Sequence, residues 1–236
     1  MPALNQPAFR FPALHPKDIN RLITSLNPKG TVIYQNDFER DIVGMAVQPT
    51  DGSYGKTTCG KAHSGVQSLY LRTKSASGAA VEAKARIPHN LNWTLSFENF
   101  FSLPNDDLDL FFGIEQSSLT MAYAMVVGIK SRSTGTSIEL ASGTVGAEFA
   151  WITIKTYTSR FFYGAWDYLK LTGNFQTKKY KQIILDDEVI DLSNFDLGYG
   201  TKIKGGRNGY FYYWLKNPEA VSRQCWLDDL IIAKDE

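Results

Sequence analysis

The chain has 236 residues, 43% of them apolar, enough for one all-β domain with a full core and an appendage. Its 25 Lys and Arg against 24 Asp and Glu leave a net charge of +1 with no charge block, which argues against nucleic acid and an anionic membrane as electrostatic partners. No run approaches the ~18 consecutive apolar residues of a membrane span, and prolines interrupt MPALNQPAFRFPALHP where a secretory signal needs a continuous apolar core.

Residues 1–14 read as an extended arm. Pro2, Pro7 and Pro12 block helix, and Phe9 and Phe11, two apart, fall on the same side of an extended chain. Proline restricts the free arm in advance and so lowers the entropic cost of ordering it. The expectation is an arm laid across a neighbouring protein subunit through these two rings. In residues 15–30, Ile19, Leu22, Ile23 and Leu26 fall at i, i+3, i+4 and i+7. Pro16 and Asp18 suit a helix start, and Asn27-Pro28-Lys29-Gly30 stops it, predicting a short amphipathic helix over 16–26.

From Thr31 the period changes to two. TVIYQNDF, QSLYLRTK, AAVEAKARI, WTLSFENFFSL, LDLFFGIE, AYAMVVGIK, SIELAS, FAWITIKTY, WDYLKLTGNF, KYKQIILD, NGYFYYWLK and CWLDDLIIA make about a dozen strands, rich in β-branched and aromatic residues and parted by Gly, Asn, Ser and Asp. With no helices between them, they predict an all-β, two-sheet antiparallel sandwich over 31–236. In the last strand Asp228 and Asp229 interrupt an apolar run, and strict alternation would turn one of them the way Trp226, Leu230 and Ile232 point. Cys59 and Cys225, far apart in sequence, read as two reduced thiols.

The stretch WDYLKLTGNFQTKKYKQIILDDEVIDLS, with Trp166, Leu169, Leu171, Tyr180, Ile184 and Asp187, resembles the middle hairpin of the concanavalin A-like lectin and laminin G-like jelly rolls. DFE near the first strand, HSGVQSLYL after a loop and WLDDLII at the end resemble the frame of related carbohydrate-binding modules. The resemblance covers roughly residues 31–234 and implies a jelly-roll sandwich. It also implies a calcium ion shared by the first and last strands, with Asp37 or Glu39, carbonyls of the Ser64 region and Asp228 as ligands. The alternative is that Asp228 accepts backbone N–H bonds from a crossing loop, with Asp229 solvated.

Catalytic patterns are weak. GKTTCGKA misses a phosphate-binding loop, because Ala62 stands where Ser or Thr is needed, and reads as a glycine-rich surface loop. Asp107 and Asp109 share one strand face ~7 Å apart, a spacing a glycosidase pair can use. The acidic triplet of the jelly-roll glucanases is missing, however, Glu98 stands alone and Glu115 is ~20 Å further along. These carboxylates therefore read as a water-exposed strand entrance. His15, His63 and His89 share no ligand spacing, so no catalytic residue is assigned and no enzymatic activity is expected.

Aromatics make up 13% of the chain, most densely in GYFYYWLK. Tyr210, Tyr212 and Trp214 share one strand face and Phe211, Tyr213 and Leu215 the other, so one set faces water or a partner. Exposed aromatic rows serve sugar stacking and protein interfaces alike. Two functions follow as expectations. One is a non-catalytic structural or adhesive protein of an assembly, such as a phage virion decoration or tail component, consistent with a virion or cytoplasmic setting. The other is a free lectin-like module that binds glycan. A glycoside hydrolase of the same fold is a lesser third.

Overall fold

The computed structural model describes residues 30–235, apart from 41, 43, 51, 105, 106, 146, 147, 159–163 and 202–205. The arm 1–14 with Phe9 and Phe11, and the helix expected over 16–26, lie outside the described residues. Sixteen strands are described: β1 Thr31–Asn36, β2 Met45–Pro49, β3 Tyr54–Thr58, β4 Ser68–Arg72, β5 Ala80–Ile87, β6 Thr94–Ser102, β7 Leu108–Ser117, β8 Met121–Arg132, β9 Gly135–Val145, β10 Glu148–Tyr157, β11 Asp167–Asn174, β12 Lys179–Leu185, β13 Glu188–Asp191, β14 Gly198–Thr201, β15 Asn208–Lys216 and β16 Gln224–Lys234. They form two eight-stranded sheets. One runs β13-β12-β11-β6-β16-β4-β3 with β1 also on β16, and the other runs β10-β9-β14-β8-β7-β15-β5-β2. Pairing is antiparallel except where β14 meets β9 at Gly198 and Gly143.

Alternation along the strands sends one face of each sheet into a shared core. In β15, Phe211, Tyr213 and Leu215 are fully buried between the sheets, where they join Phe97 of β6, Phe112 of β7 and Leu171 of β11. Edge-to-face contacts lock this layer: Phe97 lies 5.2 Å from Phe211, and Phe112 lies 5.8 Å from Tyr213. Each such ring contributes about 1.5–3 kcal/mol by leaving water. Where β14 wedges between β8 and β9, the ladder opens and two backbone groups need new partners. Tyr180 of β12 reaches across the core to supply them, accepting from Val126 N at 3.0 Å and donating to Ala141 O at 2.7 Å.

Three expectations change. The segment taken as a glycine-rich loop is strand up to Thr58, because Gly55–Thr58 pair with Thr57's partner strand β4, register Gly55 to Leu71 and Thr58 to Ser68. The short strands β2, β13 and β14 add edges and a wedge that alternation alone does not mark. Strict alternation also fails in β16. A bulge between Asp228 and Ile231 interrupts its register with β6, and Asp229 sits at φ 52°. Leu227 and Leu230 therefore both point into the core, and both aspartates turn away from it. The bulge falls where the other edge of β16 passes from β4 (residues 224–227) to β1 (residues 230–234).

Candidate functional site

The outer face of the β10-to-β2 sheet carries an aromatic platform. Cross-strand register sets its rows: Glu82, Trp214, Phe111, Gly128 and Glu139 are successive neighbours across β5, β15, β7, β8 and β9. The next row is Lys84, Tyr212, Gly113 and Val126. Phe111 lies between two indoles, with centroids 5.2 Å from Trp214 and 5.1 Å from Trp151 of β10. Glycines make the seats. A Cβ on Gly128 would lie 2.9 Å from Phe111 Cδ1 and 3.4 Å from Trp151 Cζ3, and one on Gly113 would lie 2.6 Å from Tyr212 Cζ. Each ring thus settles against the backbone of the next strand. Phe111, Ala124, Val126 and Ala141 are buried beneath the half-buried Trp151, Tyr212 and Trp214. Burial, and then the charge of Glu115, push the Tyr212 hydroxyl well above its ordinary pKa, so it remains a neutral donor.

Charges frame the platform. Lys130 pairs with Glu139 at 2.5 Å, Arg132 with Asp109 at 2.5 Å and Lys84 with Glu82 at 3.6 Å. Beyond Tyr212 the face opens into a cleft of about 550 Å3, lined by Gly44, Ala46, Gln48, Lys84, Arg86, Glu115, Asn208 and Tyr210. Lys84 Nζ stands 4.3 Å over the Tyr210 ring. The sequence-predicted Tyr210, Tyr212 and Trp214 thus share the outer face. Sequence reasoning missed Phe111, Trp151, Arg86 and the two glycine seats, whose positions follow from register between strands far apart in sequence.

On the outer face of the other sheet the loop 59–67 crosses the middle strands β6 and β16. Asp228, fully buried, accepts His63 N at 2.8 Å and Ser64 N at 3.2 Å through Oδ2, and Asp229 N at 2.9 Å through Oδ1. Asp229 accepts Ser64 Oγ at 2.7 Å and holds His63 Nδ1 at 2.8 Å. Glu39 Oε1 accepts Val66 N at 2.8 Å and Gln67 N at 2.9 Å. Between them Gly65, at φ 59°, leaves room for the carboxylate, since a Cβ there would be 2.2 Å from Glu39 Oε1. His63 stacks on Phe100 at 3.5 Å. Lys61 donates to Ser102 Oγ and to Gly164 O at 3.0 Å, and lies over Trp226 at 5.2 Å. Burial lowers the Lys61 pKa, opposed by the charge of Asp167. Burial, and next the Asp229 charge, raise Asp228 to about 7 against the three N–H bonds that hold it down.

A shared calcium ion would need Asp37 or Glu39, the Ser64 region and Asp228. The structure does bring Glu39, the loop and Asp228 together. However, the loop turns successive N–H groups onto both carboxylates, and Asp37 Oδ1 accepts Glu39 N at 3.1 Å. These N–H donors already complement the two carboxylates without an ion, so the loop is held here by hydrogen bonds that a shared calcium would have to supplement or replace. Among the described residues no three His, Cys, Asp or Glu side chains converge as metal ligands.

Other singled-out residues find structural settings. Asp109 is buried against Arg132 rather than water-exposed. Glu98 is also buried, where it accepts the Tyr168 hydroxyl and lies 3.7 Å from Lys170 Nζ. Cys59 is exposed and Cys225 buried, both as free thiols.

No family model matches the chain, and no curated protein matches it. Solved structures do. An endo-β-1,4-glucuronan lyase from Trichoderma reesei is similar at TM-score 0.53 and 13% identity, covering 86% of this chain and 95% of its own. The CBM2 module of the evolved Dit of Lactobacillus casei BL23 phage J-1 is similar at TM-score 0.52 and 10% identity, covering 88% and 97%. The carbohydrate recognition domain of Emp47p is similar at TM-score 0.53 and 6% identity, covering 89% and 99%. The chain therefore shares the two-sheet β-sandwich fold of these proteins.

Proposed function

We propose that this chain is a non-catalytic carbohydrate-binding module whose ligand lies along the outer face of the β10-to-β2 sheet. One observation carries the reading: Phe111, seated against Gly128, is flanked by the half-open indoles of Trp151 and Trp214. The half-open rings of Trp151, Tyr212 and Trp214 around the buried Phe111 offer apolar contact to the C–H faces of successive sugar rings, and the framing charges supply hydrogen bonds to hydroxyls. The carboxylates Asp109, Glu82 and Glu139 are each paired with a cation, an arrangement suited to holding a ligand rather than to moving protons. The carbohydrate-binding neighbours of this fold support the same reading.

The test is calorimetry or affinity electrophoresis against a panel of soluble polysaccharides. Trp214→Ala and Trp151→Ala are each expected to weaken binding at least about tenfold, or 1.4 kcal/mol, while the protein still melts cooperatively. If no glycan in a broad panel binds the wild type, the reading falls. A second reading, an adhesive component of a phage-like assembly, is supported by the phage module among the fold neighbours. Removing residues 1–14 tests it, since unimpaired assembly or partner binding would refute a role for the arm.

A further inference from the structure

We infer that the cleft beside Tyr210 is the polar subsite of this face, and that it holds an uncharged sugar unit through its hydroxyls rather than a carboxylated one. The inference rests on the carbohydrate-binding reading and specifies its ligand. Register places Arg86 and Glu115 on opposite sides of Tyr210, in β5 and β7 flanking β15. Two interstrand spacings separate their backbones by about 10 Å, a gap that a single sugar ring with its substituents can bridge. Neither has an oppositely charged partner within ion-pair distance among the described residues, unlike Lys84, Lys130, Arg132, Glu82 and Glu139 on the same face. Gln48 and Asn208 add two planar amides to the cleft wall.

Charge balance selects the ligand class. Lys84 and Arg86 would attract a sugar carboxylate, while Glu115 in the cleft and Glu82, 3.6 Å from Lys84 Nζ, would repel it. Two cations against two acids leave no net charge to favour an anion. Hydroxyls are served by both signs. Each can donate to the Glu115 carboxylate and accept from the Arg86 guanidinium, and these planar, two-pronged groups match adjacent pairs of hydroxyls. With Lys84 covering one face of Tyr210, the cleft is a hydrogen-bonding pocket at the end of a stacking platform, within the size range of small-ligand sites at about 550 Å3. Such a site discriminates strongly against an analogue that lacks the hydroxyls, because its polar groups then go unmatched.

The experiment measures binding of neutral glucans, mannans and xylans and of a polyuronate, at 50 mM and 500 mM salt. The proteins are the wild type, Arg86→Ala, Glu115→Ala, Glu115→Gln and Trp214→Ala, with melting curves for each. The expected result is a neutral glycan bound with little salt dependence. Arg86→Ala and Glu115→Ala should each weaken it about tenfold at unchanged melting temperature, and Glu115→Gln should weaken it less. Preference for the polyuronate, with affinity falling in salt and rising in Glu115→Gln, would overturn the neutral assignment. If Trp214→Ala loses binding while the Arg86 and Glu115 variants bind like wild type, the cleft is no subsite although the platform stands. If no glycan binds the wild type, the carbohydrate reading and this inference fall together.

Discussion

The buried Asp228 gives the sharpest pH test. Its ordinary pKa is 3.8, and in the fold burial and the neighbouring Asp229 raise it to about 7. Between those values the folded protein keeps a proton that the unfolded chain has released. Stability from this group is therefore fully present below about pH 4 and is lost as pH rises through 7. At about 1.4 kcal/mol per pH unit the loss is at most about 4 kcal/mol. The exposed Asp191 and the half-buried Glu188 shift the opposite way, lowered by hydrogen bonds from Ser193 and Lys155 respectively, so their effect lies at more acid pH. Asp228→Asn removes the titration. It also sets an NH2 group against one N–H donor, an unmatched contact costing about 1–3 kcal/mol. In urea unfolding, the stability gap between wild type and variant is expected to narrow from pH 5 to pH 8. A gap that stays constant would show that the three N–H bonds keep Asp228 ionised throughout, against the burial argument.

Further outcomes follow from single atoms. Gly113→Ala puts a Cβ 2.6 Å from Tyr212 Cζ and is expected to cost about 1–3 kcal/mol and to weaken glycan binding. Gly200→Ala, with nothing within 4 Å, should stay within about 0.5 kcal/mol of wild type. Tyr180→Phe strips the β8–β9 fork of its bridging hydroxyl and should lower stability by about 1–3 kcal/mol in thermal melts. Because N–H donors already hold Glu39 and Asp228, a chelator should leave the melting curve unchanged, and a clear drop would show a bound cation.

Much of the sandwich is legible in the sequence because its long strands alternate. GYFYYWLK separates core from surface residues correctly, with Tyr213 buried and Tyr212 on the outer face. The strands that escape notice are short or carry breakers: MAVQP ends in proline, and GYGT is half glycine. The β16 bulge is invisible to a period-two argument, since it arises where the neighbour of β16 changes from β4 to β1. Two adjacent aspartates were its only trace. The loop 59–67 that receives them carries no motif, and His63 gains its role only because that loop crosses Phe100. Trp151 and Phe111 read as ordinary strand aromatics until register sets them beside each other.

The two outer faces treat their aromatics in different ways, and the difference supports the platform as the proposed ligand face. Both carry outward aromatics, which in water invite a cover. On the β6–β16 sheet the cover is internal: His63 lies on Phe100, and Lys61 lies across Trp226 and Trp166. Gly65 and the paired carboxylates Glu39 and Asp228 pin that loop from beneath. On the β7–β15 sheet the rings are lowered onto glycines instead, which buries Phe111 but leaves Trp151, Tyr212 and Trp214 half open. Seating a ring over glycine forgoes a side chain and its packing. That cost is offset when a further surface completes the contact. The strap covers Phe100 and Trp226 but stops short of Tyr54 and Tyr70 at the β3–β4 end of its sheet, whereas the platform joins its half-open rings to a cleft, a pairing that a further surface would complete.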